Sequence, residues 1–238
     1  MHNFATSMRK PPKIVVIIPA MNEENSIGKV IQEIPKDLVQ EVLVCNNNST
    51  DNTKDVAEKA GATVLDEARP GYGWACLKGM EYAAQMEDLP DIICFIDGDY
   101  SDYPEEIREV LAPIIEQDID MVIGSRALGQ KERGSMTVPQ RFGNWLATRL
   151  MHLFHGVRYT DLGPFRAIKY DKLMQLGMVD KTYGWTIEMQ IKAAKNKLSC
   201  KEIPVNYRRR IGHSKVSGTV KGTIGAGYKI ILTIFKYL

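Results

Sequence analysis

Apolar and polar positions alternate in blocks along the first half of the chain. Ile14–Ala20 is an unbroken apolar run, the pattern of a strand covered on both faces. Asn22 to Ser26 then opens a helix that runs to about Ile34 and is stopped by Pro35. Residues 41–45 predict a second strand. The polar turn 48–51 leads into a helix over 51–60 that Gly61 ends, and 62–65 predicts a short third strand. A helix over 72–86, a strand over 92–96, a helix from Pro104 to about Gln117 and a strand over 121–124 complete this half. Alternating strands and helices predict an α/β fold, a mainly parallel sheet with helices on both faces.

The second half reads differently. Residues 128–138 are charged, contain glycine and are expected to be mobile. Residues 140–155 predict a helix with Phe142, Leu146, Leu150 and Leu153 recurring at helical spacing. A loop over 161–166 leads into a short strand. A helix over 185–196 and a strand-like stretch over 200–207 follow. Residues 221–238 predict an amphipathic terminal helix, with Lys221, Lys229 and Lys236 offset from its apolar stripe. Three placements of that helix are consistent with the pattern: on a membrane surface, against the domain, or in a dimer seam.

The sharpest chemical signal is Asp97-Gly98-Asp99. Two carboxylates stand one residue apart at the end of an apolar strand. Hard divalent cations take oxygen ligands and are often shared between carboxylates and substrate phosphates. A solvated Asp-Gly turn is the bland alternative, and the strand context favours the metal. In a parallel sheet, ligands bind beyond the carboxyl ends of the strands. Asn22, Glu23, Asn46, Asn47, Asp97, Asp99 and Arg126 all follow strands and therefore crowd one edge.

Composition narrows the picture. A net charge of +2 gives no bulk electrostatic case for nucleic acid. The four cysteines lie apart, without metal-ligand spacing, so core thiols in a reducing compartment are expected rather than zinc. Residues 1–13 lack the apolar core of a signal peptide. No segment has the roughly 18 apolar residues in a row that a membrane span needs. A cytoplasmic protein, with membrane association left open, is the expectation. A run of cations, Arg208, Arg209, Arg210 and Lys215, surrounds Gly212. Guanidinium and ammonium groups suit phosphate oxygens.

Read in order, Ile18-Pro19-Ala20-Met21-Asn22-Glu23-Glu24, Asn46-Asn47-Asn48-Ser49-Thr50-Asp51, Asp97-Gly98-Asp99 and Gly124-Ser125-Arg126 resemble family 2 glycosyltransferases of the GT-A (Rossmann-like) fold. Within that family, Gly71-Tyr72-Gly73-Trp74-Ala75, Asp161-Leu162-Gly163-Pro164-Phe165-Arg166 and Arg209-Arg210-Ile211-Gly212-His213-Ser214-Lys215 are similar to the dolichyl- and polyprenyl-phosphate sugar synthases. The resemblance spans about 13 to 220. It implies one domain over 1–238: a nucleotide-sugar half (13–126), an acceptor half (127–220) and the terminal helix (221–238).

What the resemblance implies for individual residues follows. Mg²⁺ or Mn²⁺ would be held by Asp97 and Asp99, with Ser101 as a further oxygen ligand. Pro19, Ala20, Asn22, Glu23, Asn46, Asn47, Gly71 and Gly98 would form the donor site. The family usually carries an acid where Asn46 and Asn47 stand, which leaves uracil or guanine open as the base. Arg209, Ser214 and Lys215 would close over phosphate, and Arg126 would meet an acceptor phosphate. Glu188 stands where inverting members with hydroxyl acceptors carry a general base. The implied activity is metal-dependent, inverting transfer of a hexose from a UDP- or GDP-linked donor to a polyprenyl phosphate or similar acceptor. A soluble acceptor, or a degenerate nucleotide-binding module, are the alternatives.

Overall fold

A computed structural model describes residues 10–212 and 220–238 of the chain. Ser214 and Lys215, expected to close over phosphate, lie outside the described residues. The strands are β1 (Ile14–Ala20), β2 (Glu41–Asn46), β3 (Thr63–Asp66), β4 (Ile92–Phe95), β5 (Met121–Ser125), β6 (Arg166–Lys169) and β7 (Cys200–Pro204). They form one seven-stranded sheet in the order β3-β2-β1-β4-β6-β5-β7. β6 runs antiparallel to both its neighbours and the other pairings are parallel. The mainly parallel sheet expected from the sequence is therefore present.

The helices are α1 (Ile27–Glu33), α2 (Thr53–Lys59), α3 (Tyr72–Ala83), α4 (Ile107–Gln117), α5 (Val138–His155), α6 (Tyr170–Leu176), α7 (Trp185–Lys195) and α8 (Val220–Lys236). Successive β1 residues point to opposite faces. Ile14, Val16 and Ile18 join the core beneath α1, α2 and α4, while Val15 and Ile17 join the core beneath α3, α6 and α7. Burying each such side chain contributes roughly 1.5–3 kcal/mol, so the sheet's centre is the most strongly determined part of the molecule. A third, smaller cluster, including Met151, Ile187, Ile191 and Ile234, ties α5, α7 and α8 together.

Several boundaries differ from the sequence pattern for local reasons. Thr137 and Gln140 form a reciprocal capping box, so α5 starts at Val138 rather than Gln140. α6 follows β6 without any glycine or proline between them, which hid a seven-residue helix. The segment 128–138 is expected from its composition to be mobile but is pinned. The Glu132 N–H donates to the Tyr207 carbonyl at 2.9 Å. A Cβ on Gly129 would lie 1.9 Å from the Val205 carbonyl oxygen, so only glycine permits this approach. The terminal helix packs on the domain. Lys229 pairs with Asp180 at 3.0 Å, and the Tyr237 hydroxyl donates to Glu188 at 2.6 Å. Among the described residues no helix is long and apolar enough to cross a membrane.

Candidate active site

The strand order reverses between β1 and β4. The chain winds outward from β1 through β2 to β3, then returns to place β4 on the other side of β1. Adjacent loops diverge at such a point and leave a crevice. The crevice here is a cleft of about 590 Å³. Pro19 and Ala20 from the end of β1, and Asp97, Gly98 and Asp99 after β4, line its floor. Its opposite wall comes from α5 and α8.

Asp99 is buried and its carboxylate is fixed from two sides. It accepts from the Ser101 N–H at 2.9 Å and from the Ser101 hydroxyl, and it pairs with Arg210. Asp97 accepts from the Tyr72 hydroxyl at 3.1 Å. Burial, and then the neighbouring Asp99 charge, push the Asp97 carboxyl up to about 7 against the pull of Arg210. Two carboxylates side by side, with a cation already drawn to one of them, form a donor set suited to a hard divalent ion. Among the described residues no trio of His, Cys, Asp or Glu gathers as a metal site. An ion held by this pair would keep coordination positions for other ligands, as in sites that share a metal with substrate phosphates. Ser101, expected as a further oxygen ligand, donates its hydroxyl to Asp99 and so orients that carboxylate.

Two arginines reach the cleft, and one differs from expectation. The backbone of 207–211 runs beside 99–102: Arg208 N–H donates to Ser101 O at 2.9 Å and Ile211 N–H to Asp99 O at 3.0 Å. An extended segment turns alternate side chains to opposite sides. Arg210 therefore faces the acids. Arg209 turns away, donating to the Arg133 carbonyl at 2.8 Å and lying outside the cleft lining. Arg208 stacks on Tyr100, 3.3 Å from the ring centroid, and pairs with Glu33. Arg126 lines the cleft as expected, but both prongs of its guanidinium grip Asp161 at 2.7 Å. Arg166, which closes the 161–166 loop, donates to the carbonyls of Leu162, Gly163 and Thr186.

The asparagines also separate by role. Asn47 donates to the carbonyls of Glu67 and Arg69 and accepts from the Gly71 N–H, stapling the loop after β3 to the end of β2. Asn46 turns its amide to Asp66 at 2.8 Å and lies outside the cleft lining. Asn22 adopts a left-handed backbone (φ 54°) and accepts from the Thr50 N–H at 2.7 Å, joining two sheet-edge loops. Glu23 does line the cleft, and its carboxylate accepts from the Ser26 hydroxyl at 3.0 Å. Gly71 lines it too. A Cβ there would lie 2.2 Å from the Lys181 carbonyl.

Glu188 is the clearest correction. It is fully buried and accepts from the N–H groups of Val179 and Asp180, from the Tyr237 hydroxyl and from Lys192 at 2.8 Å. It anchors α8 behind the cleft and has no access to a reacting atom. Trp185 is both core and cleft wall, 1% exposed and edge-on to Phe95 at 6.0 Å. Sequence reading passed over Tyr72 and Asp102. Neither oxygen of buried Asp102 has a hydrogen-bond partner among the described residues. Burial first, and Asp97 second, hold that carboxyl well above the usual range.

An uncharacterised glycosyltransferase of Mycobacterium tuberculosis is 32% identical over 214 residues, covering 89% of this chain and 93% of its own. A dolichyl-phosphate hexose transferase of Haloferax volcanii is 31% identical over 208 residues, covering 85% and 86%. In fold, the chain is similar to glucosyl-3-phosphoglycerate synthase of Mycobacterium tuberculosis, solved with Mn²⁺, UDP-glucose and phosphoglyceric acid. That match has a TM-score of 0.74 at 23% identity, over 95% of this chain and 79% of the other. Residues 15–177 match the sequence profile of glycosyl transferase family 2, and with the acid pair at the sheet's reversal point this chain belongs to that family of GT-A enzymes.

Proposed function

We propose that this glycosyltransferase moves a hexose from a nucleoside diphosphate donor to a polyprenyl phosphate, with inversion at the anomeric carbon. The observation that carries the acceptor assignment is the chemistry of the cleft walls. Among the described residues lining the cleft, the carboxylates are Glu23, Asp97 and Asp99, all on the sheet edge. The wall from α5, α8 and the 162–164 loop offers groups such as Leu162, Pro164, Gly143, Gly227 and Ile230, and among its described residues neither a carboxylate nor an imidazole. A hydroxyl acceptor needs a base to take its proton, whereas a phosphate is already ionised and attacks unaided. With Glu188 locked behind the cleft, a phosphate is the acceptor this wall suits. Its apolar character fits the prenyl chain behind that phosphate.

The remaining roles follow from position. Pro19, Ala20 and Gly71 shape the donor pocket by backbone contact. Asp97 and Asp99 would hold Mg²⁺ or Mn²⁺, which when bound supplies Lewis-acid stabilisation of the departing diphosphate. Tyr72 and Ser101 hold those two acids in orientation. Arg210, paired with Asp99 across the same edge, is placed to take negative charge on the leaving group. Arg126, oriented by Asp161, faces the incoming acceptor phosphate. The Haloferax relative's activity and the manganese and UDP-glucose of the structural neighbour support this reading.

Transfer assays with the full chain test it. UDP- and GDP-sugars would be paired with a polyprenyl phosphate, the matching polyprenol and 3-phosphoglycerate, each with Mn²⁺ or EDTA. Turnover with the lipid phosphate alone, lost in EDTA, is the expected result. Equal turnover with the unphosphorylated polyprenol, or a clear preference for phosphoglycerate, would overturn the acceptor assignment.

A further inference from the structure

α5 and α8 turn apolar and basic side chains away from the domain. On α5, Val138 is 77% exposed, Phe142 59%, Trp145 52% and Leu153 72%, while Ala147 and Met151 are buried on the inner side. A surface helix of a water-soluble domain ordinarily presents a polar stripe there. α8 repeats the arrangement, with Tyr228, Leu232 and Phe235 exposed one helical turn apart. The two stripes are continuous, because the rings of Phe154 and Phe235 meet at 5.0 Å.

Charge completes the pattern. Neither helix contains an aspartate or glutamate. Arg141 and Arg149 stand on the exposed side of α5, and Lys236 is exposed on α8. Beside the stripe opens a second hollow of about 400 Å³, lined by Thr148, Arg149, His152, Arg158 and Tyr159. It gathers two guanidinium groups and an imidazole with no carboxylate among its lining residues. One step inward on the same helices, Gly143, Asn144, Gly227 and Ile230 line the catalytic cleft.

We propose that the outer face of α5 and α8 docks on an anionic lipid bilayer. Phe142 and Trp145 enter the boundary between headgroups and acyl chains, and the Arg149–Arg158 hollow takes a headgroup phosphate. Aromatic side chains flanked by arginine and lysine, without acids, match the depth profile and charge of such a surface. A second copy of this chain would bring like-charged faces together, which disfavours it as the occupant. This deepens the lipid-phosphate reading: docking sets the mouth of the cleft against the bilayer that holds the acceptor.

Flotation of the full chain with phosphatidylcholine vesicles, with and without phosphatidylglycerol, tests the docking separately from transfer. The wild type should float with the anionic vesicles and release them in high salt. Replacing both Phe142→Ser and Trp145→Ser should lower the bound fraction by about tenfold or more. Arg149→Gln with Arg158→Gln should abolish the preference for phosphatidylglycerol. Both double variants should still glycosylate a short, water-soluble prenyl phosphate. Floating wild type that transfers to no prenyl phosphate would sink the acceptor reading and leave the docking intact. Wild type that stays unbound with both lipids, or variants that float as it does, would overturn the docking. So would a solution dimer that the Phe142 and Trp145 changes convert to monomer, since that assigns the face to a second copy.

Discussion

On one side of the cleft, β1 and β4 bury every apolar side chain they carry and deliver two acids to their carboxyl ends. On the other, α5 and α8 expose large aromatic residues while lining the same cleft with residues such as Gly143, Asn144, Gly227 and Ile230. The sheet side is set by packing, which leaves almost no freedom in where Asp97 and Asp99 stand. The helical side is set by a few polar ties and spends its apolar groups outward. On the proposed function, donor chemistry would be held by the rigid layer, and acceptor choice by the helical one.

Four substitutions probe this contrast. Asp99→Ala should give the largest effect, a loss on the order of 10³-fold in kcat with an unchanged circular dichroism spectrum. Near-normal turnover would remove the acid pair from the mechanism. Phe95→Ala, in the sheet core against Trp185, should cost about 3–5 kcal/mol in urea denaturation. A cost no greater than that of a surface change would contradict the rigid-layer account.

Asp161→Asn should come next. It leaves the Arg126 guanidinium without its paired charge in a buried site, at a cost of roughly 3 kcal/mol at neutral pH. Burial tends to raise the Asp161 carboxyl, but Arg126 outweighs it and holds the group below its ordinary 3.8. A lowered carboxyl stabilises the fold above that value, and its contribution fades as pH falls through the lower folded-state value. Denaturation measured from pH 6 downward should therefore show a shallower acid loss in the variant. Parallel curves would argue against the ion pair. Phe142→Ser should have the smallest effect, under about 0.5 kcal/mol. A large destabilisation would mean that this ring is covered in the folded protein.

How much of this was legible in the sequence follows the same division. The apolar runs of β1 and β4 and the Asp97-Gly98-Asp99 sequence announced the sheet edge, because their information is local. Arg209 was misread because choosing among three adjacent arginines requires knowing that 207–211 runs extended beside 99–102. Glu188 was misread because its carboxylate is used on the 179–180 turn and on Tyr237, 49 residues along the chain. Asn47 has the residue type of a ligand contact, yet its amide is used on the carbonyls of Glu67 and Arg69. In each case a polar side chain's role is fixed by non-local partners, and periodicity carries no record of them.

Arg166 carries a last consequence. It projects from the antiparallel strand between β4 and β5, and its planar fork grips main-chain oxygens on the 162–163 loop and at the start of α7. The spacing between the 162–163 loop and the start of α7, both beside the cleft, is thereby gauged by one side chain of fixed reach. A lysine keeps the charge but has a single tip, and cannot touch both supports at once. That exchange would leave the chemistry's parts intact while letting the gap between those two supports drift.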